Sequence, residues 1–485
     1  MMLRRFLTLT LISLPAIHAL SPAPTFAAEP QRPNVLMIAV DDLNHWVGYL
    51  GRNRQAMTPN IDRLAAQGTS FTRSYCAAPV CNPSRAALMS GLRPYVTGVY
   101  GNNDDWRPVV GRELPLTSAF RNAGYYVAGA GKIYHEAYKR PGEWDDYLKD
   151  SGTDPQPTGD KGVGGIRFGV VDANDEDLRE WKIVQYGIDE LQKKHDKPFF
   201  LAIGLHKPHM PWFVPRKYFD MHPLDEIQVP PTIENDLADI PPAGVKMAKP
   251  EGDHRQMVES GRWKEAIQAY LAAASYADAM IGRLLDELEK SPYCDNTIVV
   301  LWGDHGWHLG EKEHWRKFAL WEEATRAPLI WRVPGVTKPG SVSERTVDFM
   351  SIYPTLTDLA GIDKPSHVEA NSIRPLLVDA KAEWTTPAVT THEEGNHAVS
   401  TEGWRYIRYA NGDEELYDET ADPYEWKNLA NDAKYAEQKA AIAKHLPTTN
   451  KPDLSSGPDG NGKKQVAGGG KNRSRKQQRK ERALQ

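Results

Sequence analysis

Four short apolar runs, each ending in residues that carry chemistry, constrain this chain more than any other feature. Residues 34–40 lead into Asp41 and Asp42, and residues 125–130 lead into Gly131 and Lys132 with His135 just beyond. Residues 199–205 lead into His206, Lys207, Pro208 and His209, and residues 297–302 into Gly303, Asp304, His305 and Gly306. Each run has the length of a buried strand, and helical stretches such as the alanine-rich 266–290 lie between them. That alternation predicts an α/β fold with a large, mostly parallel sheet sandwiched by helices. In such sheets ligands bind beyond the carboxyl ends of the strands. Any one of these residues has an ordinary explanation as a helix cap or a hydrogen-bonded histidine. Four sets in the same topological position point to a site.

The residue types define what that site can do. Asp41, Asp42 and Asp304 gathered without a cation would repel one another and partly protonate, so they call for a hard divalent metal. Lysines and histidines beside them suit a multiply oxygenated anion such as sulfate or phosphate. Gly131-Lys132 is followed by Ile133 and lacks the upstream glycine of a phosphate-binding loop. A nucleophile comes from residues 76–91, where Pro83 near the start of a helical run places Cys81 at a helix N-terminus. There the dipole is expected to activate a thiolate; a buried structural cysteine is the alternative.

Composition narrows the class. The chain has 485 residues, enough for two or three domains, and a net charge of −5. That balance excludes a protein whose main business is coating nucleic acid. Three cysteines, Cys76, Cys81 and Cys294, are too few for a disulfide scaffold.

The order Cys81-Asn82-Pro83-Ser84-Arg85, then Ala86, Gly91 and Pro94, resembles the signature of the type I sulfatases. The likeness extends through Asp41-Asp42, Thr58 to Leu64, Gly131-Lys132, His209, Gly303 to Gly306, Lys317, Glu415 to Asp418 and Asp422-Pro423. Within that family it is most similar to the iduronate-2-sulfatase-like branch, through 206–211 and 304–311. The resemblance implies an alkaline-phosphatase-like fold and a Cys81 oxidised to formylglycine by a maturation enzyme. The hydrated aldehyde would attack sulfur with one hydroxyl and expel sulfate with the other. Asp41, Asp42, Asp304 and His305, with residue 81, would hold Ca²⁺. Arg85 would stabilise the hydrate, Lys132 and Lys317 would bind sulfate oxygens, His209 would be the general acid and His135 would assist the second step. Many sulfatases carry Asn where this chain has His305, a softer ligand than an amide oxygen.

The implied substrate is a sulfated carbohydrate such as a glycosaminoglycan, with an exposed uronic acid 2-sulfate preferred. A sugar carboxylate needs partners beyond the sulfate pocket. Lys207, His308, Arg316 and His397 are the candidates, and Trp212 and Trp307 are candidates to lie against a sugar face. Two alternatives stay open: a phosphomonoester or phosphonate hydrolase of the same superfamily, and a non-catalytic protein that binds sulfated glycans.

The ends are read separately. Residues 1–28 combine Arg4-Arg5, an apolar stretch too short to span a bilayer, and small residues before the cut, the pattern of an export signal. The protein is therefore expected in the periplasm or secreted, with no transmembrane span. A catalytic domain is expected over 29–362 and a C-terminal α+β subdomain with an antiparallel sheet over 363–450. Strands are expected at 397–409 and 414–417 around Asn411-Gly412, followed by a helix at 434–445. The loop 393–397 reads as solvated, with reach to the substrate as the alternative. Residues 451–485 read as a disordered basic tail. From Ser456 on it carries nine Lys or Arg and two acids, a charge of +7 that leaves −12 on the rest. It is either plain solvated chain or a tether to acidic polysaccharide or another anionic surface.

Overall fold

The structure, a computed structural model, describes residues 32–456 except 113, 136 and 137; the expected export signal, and the tail beyond 456, lie outside the described residues. The main sheet has eight strands: β1 Asn34–Val40, β2 Thr69–Tyr75, β3 Tyr126–Gly131, β4 Asp146–Tyr147, β5 Phe199–Leu205, β6 Thr297–Gly303, β7 Leu329–Arg332 and β8 Ser341–Asp348. Their order is β8-β2-β7-β6-β1-β5-β3-β4. Only β7 runs against the others, antiparallel to β6 and β2. The remaining pairs are parallel, so the sheet is mostly parallel as expected.

Burial on both faces explains the near-continuous apolar runs. Along β1, Leu36, Ile38 and Val40 face one hydrophobic cluster, which contains side chains of the helices Arg179–Gln192 and Trp263–Lys290. Val35, Met37 and Ala39 face the other, shared with Cys81–Ser90, Leu116–Asn122 and Ile352–Leu359. Strict alternation thus feeds two cores at once.

Register brings the strand ends level. Val40 of β1 lies beside Leu205 of β5 and Gly303 of β6, and Gly131 of β3 lies beside Gly204 of β5. Lys132 turns over β5 so closely that a Cβ on Gly204 would sit 2.3 Å from the Lys132 carbonyl oxygen, which only glycine permits.

Two further strands serve the same edge. β2, whose Thr-Ser-Phe-Thr-Arg-Ser-Tyr sequence shows no apolar run, delivers residues 76–81. The reversed β7 brings the chain back from that edge, so 304–328 forms a loop over the strand ends.

The C-terminal region carries a four-stranded antiparallel sheet: β9 Ala388–Thr391, β10 His397–Thr401, β11 Trp404–Arg408 and β12 Glu414–Asp418. The expected single strand 397–409 is in fact two. A turn at Glu402 and Gly403 splits it, with Gly403 at φ 82°. The following α-helix spans Ala436–Ala443. This sheet is fixed to the main one through buried Arg405, which pairs with Glu322, with Glu419 at 2.9 Å and with Glu425 at 2.7 Å. From Pro33 on, the described chain packs as one unit.

Candidate active site

The carboxyl ends of β1, β2, β3 and β6 converge on Asp41, Asp42, Cys81, Lys132 and Asp304, all at least 95% buried. Cys81 opens the helix Cys81–Ser90. Its Sγ lies 3.1 Å from Lys317 Nζ, 3.3 Å from His305 Nε2 and 3.8 Å from Asp42 Oδ1. Lys317 Nζ also donates to Asp42 Oδ1 at 2.6 Å. Lys132 Nζ donates to Asp41 Oδ2. Arg85, fully buried, donates through Nε to Asp304 Oδ2 at 2.8 Å and lies 3.5 Å from Asp41 Oδ1. Backbone strain helps aim these groups: Asp42 sits at φ 58°, and Lys317 is flanked by Arg316 at φ 79° and Phe318 at φ 76°.

Three carboxylates face three permanent cations, a formal balance of zero. The balance is uneven in detail. Burial works to raise the pKa of Asp41, but Lys132, His209, Arg85 and Lys317 hold it well below the ordinary range. Asp42 goes the other way, raised by burial and by Asp41 and Asp304 against the pull of Lys317 and His305. Its Oδ2 is buried with no hydrogen-bond partner. His209 Nδ1 meets the carbonyl of Met210 at 2.5 Å and so must donate to it. The neutral ring then turns a lone pair at Nε2 toward Asp42 Oδ2, 3.8 Å away. Two acceptors facing each other call for a positive group between them, a proton on Nε2 or a metal ion nearby.

The donor atoms meet that demand. Asp41, Asp42, Cys81 and His209 offer ligand atoms within 4.8 Å of one another, as do Asp41, Cys81, Asp304 and His305. The carboxylate oxygens fit a hard divalent ion. Such an ion would turn the site's formal charge to +2, which suits an anionic ester.

The thiol itself is not activated, contrary to the expectation from the helix N-terminus. Burial and Asp41 push the Cys81 thiol up to about 12, against the pull of Lys132 and Lys317. Desolvation and a carboxylate outweigh the dipole here, so an unmodified Cys81 is a poor nucleophile at neutral pH. His135 is half-buried beside the cluster, with a buried and unpartnered Nδ1. Burial and Lys132 lower its pKa to about 4.

The rim residues expected to read the sugar mostly lie elsewhere. Lys207 is 2% exposed, and its ammonium is held by the Pro211 carbonyl at 2.9 Å and by Asp154 at 3.3 Å. Trp212 and Trp307 are core residues packed edge to face, 6.0 Å between centroids. Trp307 does lie under Lys317, whose Nζ is 5.2 Å from its ring. His308 is fully buried against His314 and Trp321. His397 is buried in the small sheet, bonded to Thr391 at 3.0 Å. Arg316 lines an open cleft, paired with Asp253 at 2.6 Å.

That cleft, about 570 Å³, is also lined by Gly165, Lys249, Gln256, His314 and Phe318. A second, about 520 Å³, is lined by Lys246, Lys249, Phe318, His392, Glu393 and Asn396. The loop 393–397 therefore does form a cleft wall. Ser84, His314, Phe318, Lys249 and His392 were missed from sequence. Ser84 Oγ anchors the Asp304 carbonyl at 2.5 Å, and the His314 ring bridges the carbonyls of Ala248 at 2.6 Å and Lys317 at 2.8 Å. Only Ser84 had a signal, its place inside the Cys81 motif.

Comparison with known proteins gives the chemistry a family. The Sulfatase family profile matches residues 33–362, and that of the N-sulphoglucosamine sulphohydrolase C-terminal region matches 310–451. A sulfatase of Formosa agariphila is 40% identical over 87% of this chain and 88% of its own. Iduronate 2-sulfatase of Homo sapiens is 30% identical over 68% of this chain and 70% of its own. Among solved structures, the phosphonate monoester hydrolase of Agrobacterium radiobacter has the same fold, with a TM-score of 0.73 at 22% identity over 85% of this chain and 94% of that one. The family profile takes in β1 through β8 and every residue of the buried cluster, and the chain accordingly belongs to the sulfatase family, whose members are sulfuric ester hydrolases.

Proposed function

We propose that this chain removes sulfate from a sulfated carbohydrate, with an exposed uronic acid 2-sulfate at a chain end as its preferred substrate. One observation carries the reading: a residue at a helix N-terminus, Cys81, lies within 3.3 Å of both a lysine and a histidine among three buried carboxylates. The similarity to iduronate 2-sulfatase motivates the uronate.

In this reading Asp41, Asp42, Asp304, His305 and residue 81 would hold Ca²⁺, which would draw charge from the sulfate oxygens when bound. A maturation enzyme that reads Pro83 and Arg85 converts Cys81 to formylglycine, giving residue 81 a hydrated carbonyl that can both accept and release sulfate.

Arg85 holds Asp304 and Asp41 in place and, through its peptide carbonyl contacts at Lys132 and Ile133, fixes the turn that presents Lys132. Lys132 and Lys317 bind sulfate oxygens as their charge grows. His209, at the mouth with a side chain 38% exposed, protonates the leaving alcohol. Its Nε2 takes up the required proton when an anionic substrate enters. His135 remains neutral and accepts a proton in the second step.

We further infer an export signal over 1–28 and a periplasmic or secreted enzyme. No helix among the described residues is long and apolar enough to cross a membrane. The proposed layout is a catalytic domain over 29–362, a C-terminal subdomain over 363–450 and a basic tail over 451–485.

The test is a desulfation screen of the matured protein across sulfated mono- and oligosaccharides, with the released sugar identified. Phosphate and phosphonate esters are included as the rival substrates. Faster turnover of the phosphorus esters would overturn the reading.

A further inference from the structure

Lys249 and Phe318, the latter next to Lys317 in sequence, line both clefts. Backbone bonds tie these clefts to the nucleophile segment. Phe318 N–H donates to the Pro79 carbonyl at 3.2 Å, Thr391 N–H to that of Ala77 at 2.9 Å, and Thr390 Oγ1 to that of Cys76 at 2.6 Å. The His314 ring joins the carbonyl of Ala248, next to Lys249, to that of Lys317. A group bound between these walls is therefore held at a fixed place relative to residue 81.

Lys249 ends the helix Pro242–Ala248 at φ 53°, a left-handed position that turns its side chain away from the helix. It is exposed, and among the described residues its ammonium makes no ion pair or hydrogen bond. The other charges of the two clefts differ. Arg316 and Asp253 neutralise each other, and Glu394 accepts the Asp453 N–H at 3.1 Å. Lys246 and Glu393 line one cleft only. His392 lies against Phe318, 6.2 Å between rings, and is 7% exposed. Neither of its ring nitrogens has a hydrogen-bond partner among the described residues, and it is held neutral at about 3 by burial and by the nearby charge of Lys249. A cation and a neutral imidazole thus stand at the opening with their hydrogen-bonding capacity unspent.

We propose that Lys249 binds a second anionic group of the substrate, a carboxylate or a further sulfate on the sugar that carries the scissile ester, while His392 hydrogen-bonds a hydroxyl of the same sugar. This rests on the sulfatase reading and replaces Lys207, His308 and His397 as readers of the acidic sugar. An anion leaving water for a cleft loses hydration, and the unpaired Lys249 ammonium at the wall offsets that loss.

The experiment measures kcat/KM of the full-length matured enzyme on three substrates: a uronate 2-sulfate, the neutral hexose 2-sulfate of the same linkage, and that hexose bearing a second sulfate. Wild type is compared with Lys249→Met and Lys249→Arg. The expected result is a fall of about tenfold or more in the ratio of acidic to neutral sugar for Lys249→Met, mostly through KM, with partial recovery in Lys249→Arg. The uronate arm and the disulfated arm identify which anion is read. An unchanged ratio, or equal losses on all three sugars, overturns the proposal. A wild type that hydrolyses none of the three overturns the sugar 2-sulfate reading beneath it.

Discussion

Replacing Arg85 with methionine keeps an unbranched stem and removes the guanidinium and its charge from a fully buried place. Asp304 Oδ2 then loses its partner at 2.8 Å, and Asp41 keeps Lys132 but loses the guanidinium at 3.5 Å. Among the described residues, Asp304 then keeps the Asp42 N–H on Oδ1 at 3.0 Å and the contact of His305 Nε2 at 3.6 Å. Leaving one member of a buried ion pair without the other costs about 3–5 kcal/mol. Asp304→Asn removes the charge that Arg85 pairs with at 2.8 Å but leaves it Asp41 at 3.5 Å, and should cost somewhat less. The double variant strands neither, so it should fall short of the sum of the two by about 2 kcal/mol or more. The assay is urea unfolding of all four proteins with chelator present, because a bound cation would stabilise the folded state on its own. Additivity within about 0.5 kcal/mol would refute the claim that Arg85 and Asp304 act as a pair. So would a cost below about 1 kcal/mol for Arg85→Met.

Other expectations are simpler to check. Lys317→Met removes the cation 3.1 Å from residue 81 and should lower kcat/KM about 100-fold or more on every sulfate ester; a loss confined to one substrate would contradict its place at the sulfate. Aldehyde-reactive labelling and peptide mapping should find the modification at Cys81 and at neither Cys76 nor Cys294, and labelling elsewhere would contradict the mechanism. Chelation should abolish turnover and Ca²⁺ restore it, whereas a metal-free protein with its full rate would remove the cation from the account. His222 is buried, bonded to Ser275 at 3.0 Å, and burial lowers its pKa to about 4. The unfolded chain takes up this proton near pH 6.5, so the stability is present above that pH and is lost as pH falls toward and through 4, about 3 kcal/mol in all. The stability gap between wild type and His222→Gln should shrink over that range; a constant gap would refute the assignment.

The parts of the site legible in the sequence were those where one local signal sufficed. β1 and β5 were uninterrupted apolar runs, and the acids and histidines behind them followed directly. β2 escaped notice because its polar residues suit a strand near the sheet edge, between β7 and β8, although it carries the nucleophile segment. Nearness in sequence to the motifs does not identify sugar-reading residues, because tertiary packing decides which side chains reach the surface. Trp212 and Trp307 flank the site yet fill a core, and Lys207 spends its charge on Asp154. Residues 143–182 and 222–262 gave no reading in sequence. They supply β4, the strand Phe168–Val171 and the helices Pro242–Ala248 and Asp253–Ser260, and these helices frame the clefts. Lys249 and His392 come together only because the small C-terminal sheet docks beside the helix that ends at Ala248, a contact no local pattern records.

In the proposed mechanism residue 81 cleaves sulfate esters within this cluster of acids and cations. The most direct test is sulfate release, quantified against the fraction of residue 81 carrying an aldehyde, with an exposed uronate 2-sulfate as substrate. Release should scale with that fraction and vanish in Cys81→Ala. Full release by Cys81→Ala, or none from any sulfate ester by protein whose aldehyde is confirmed, would contradict the account.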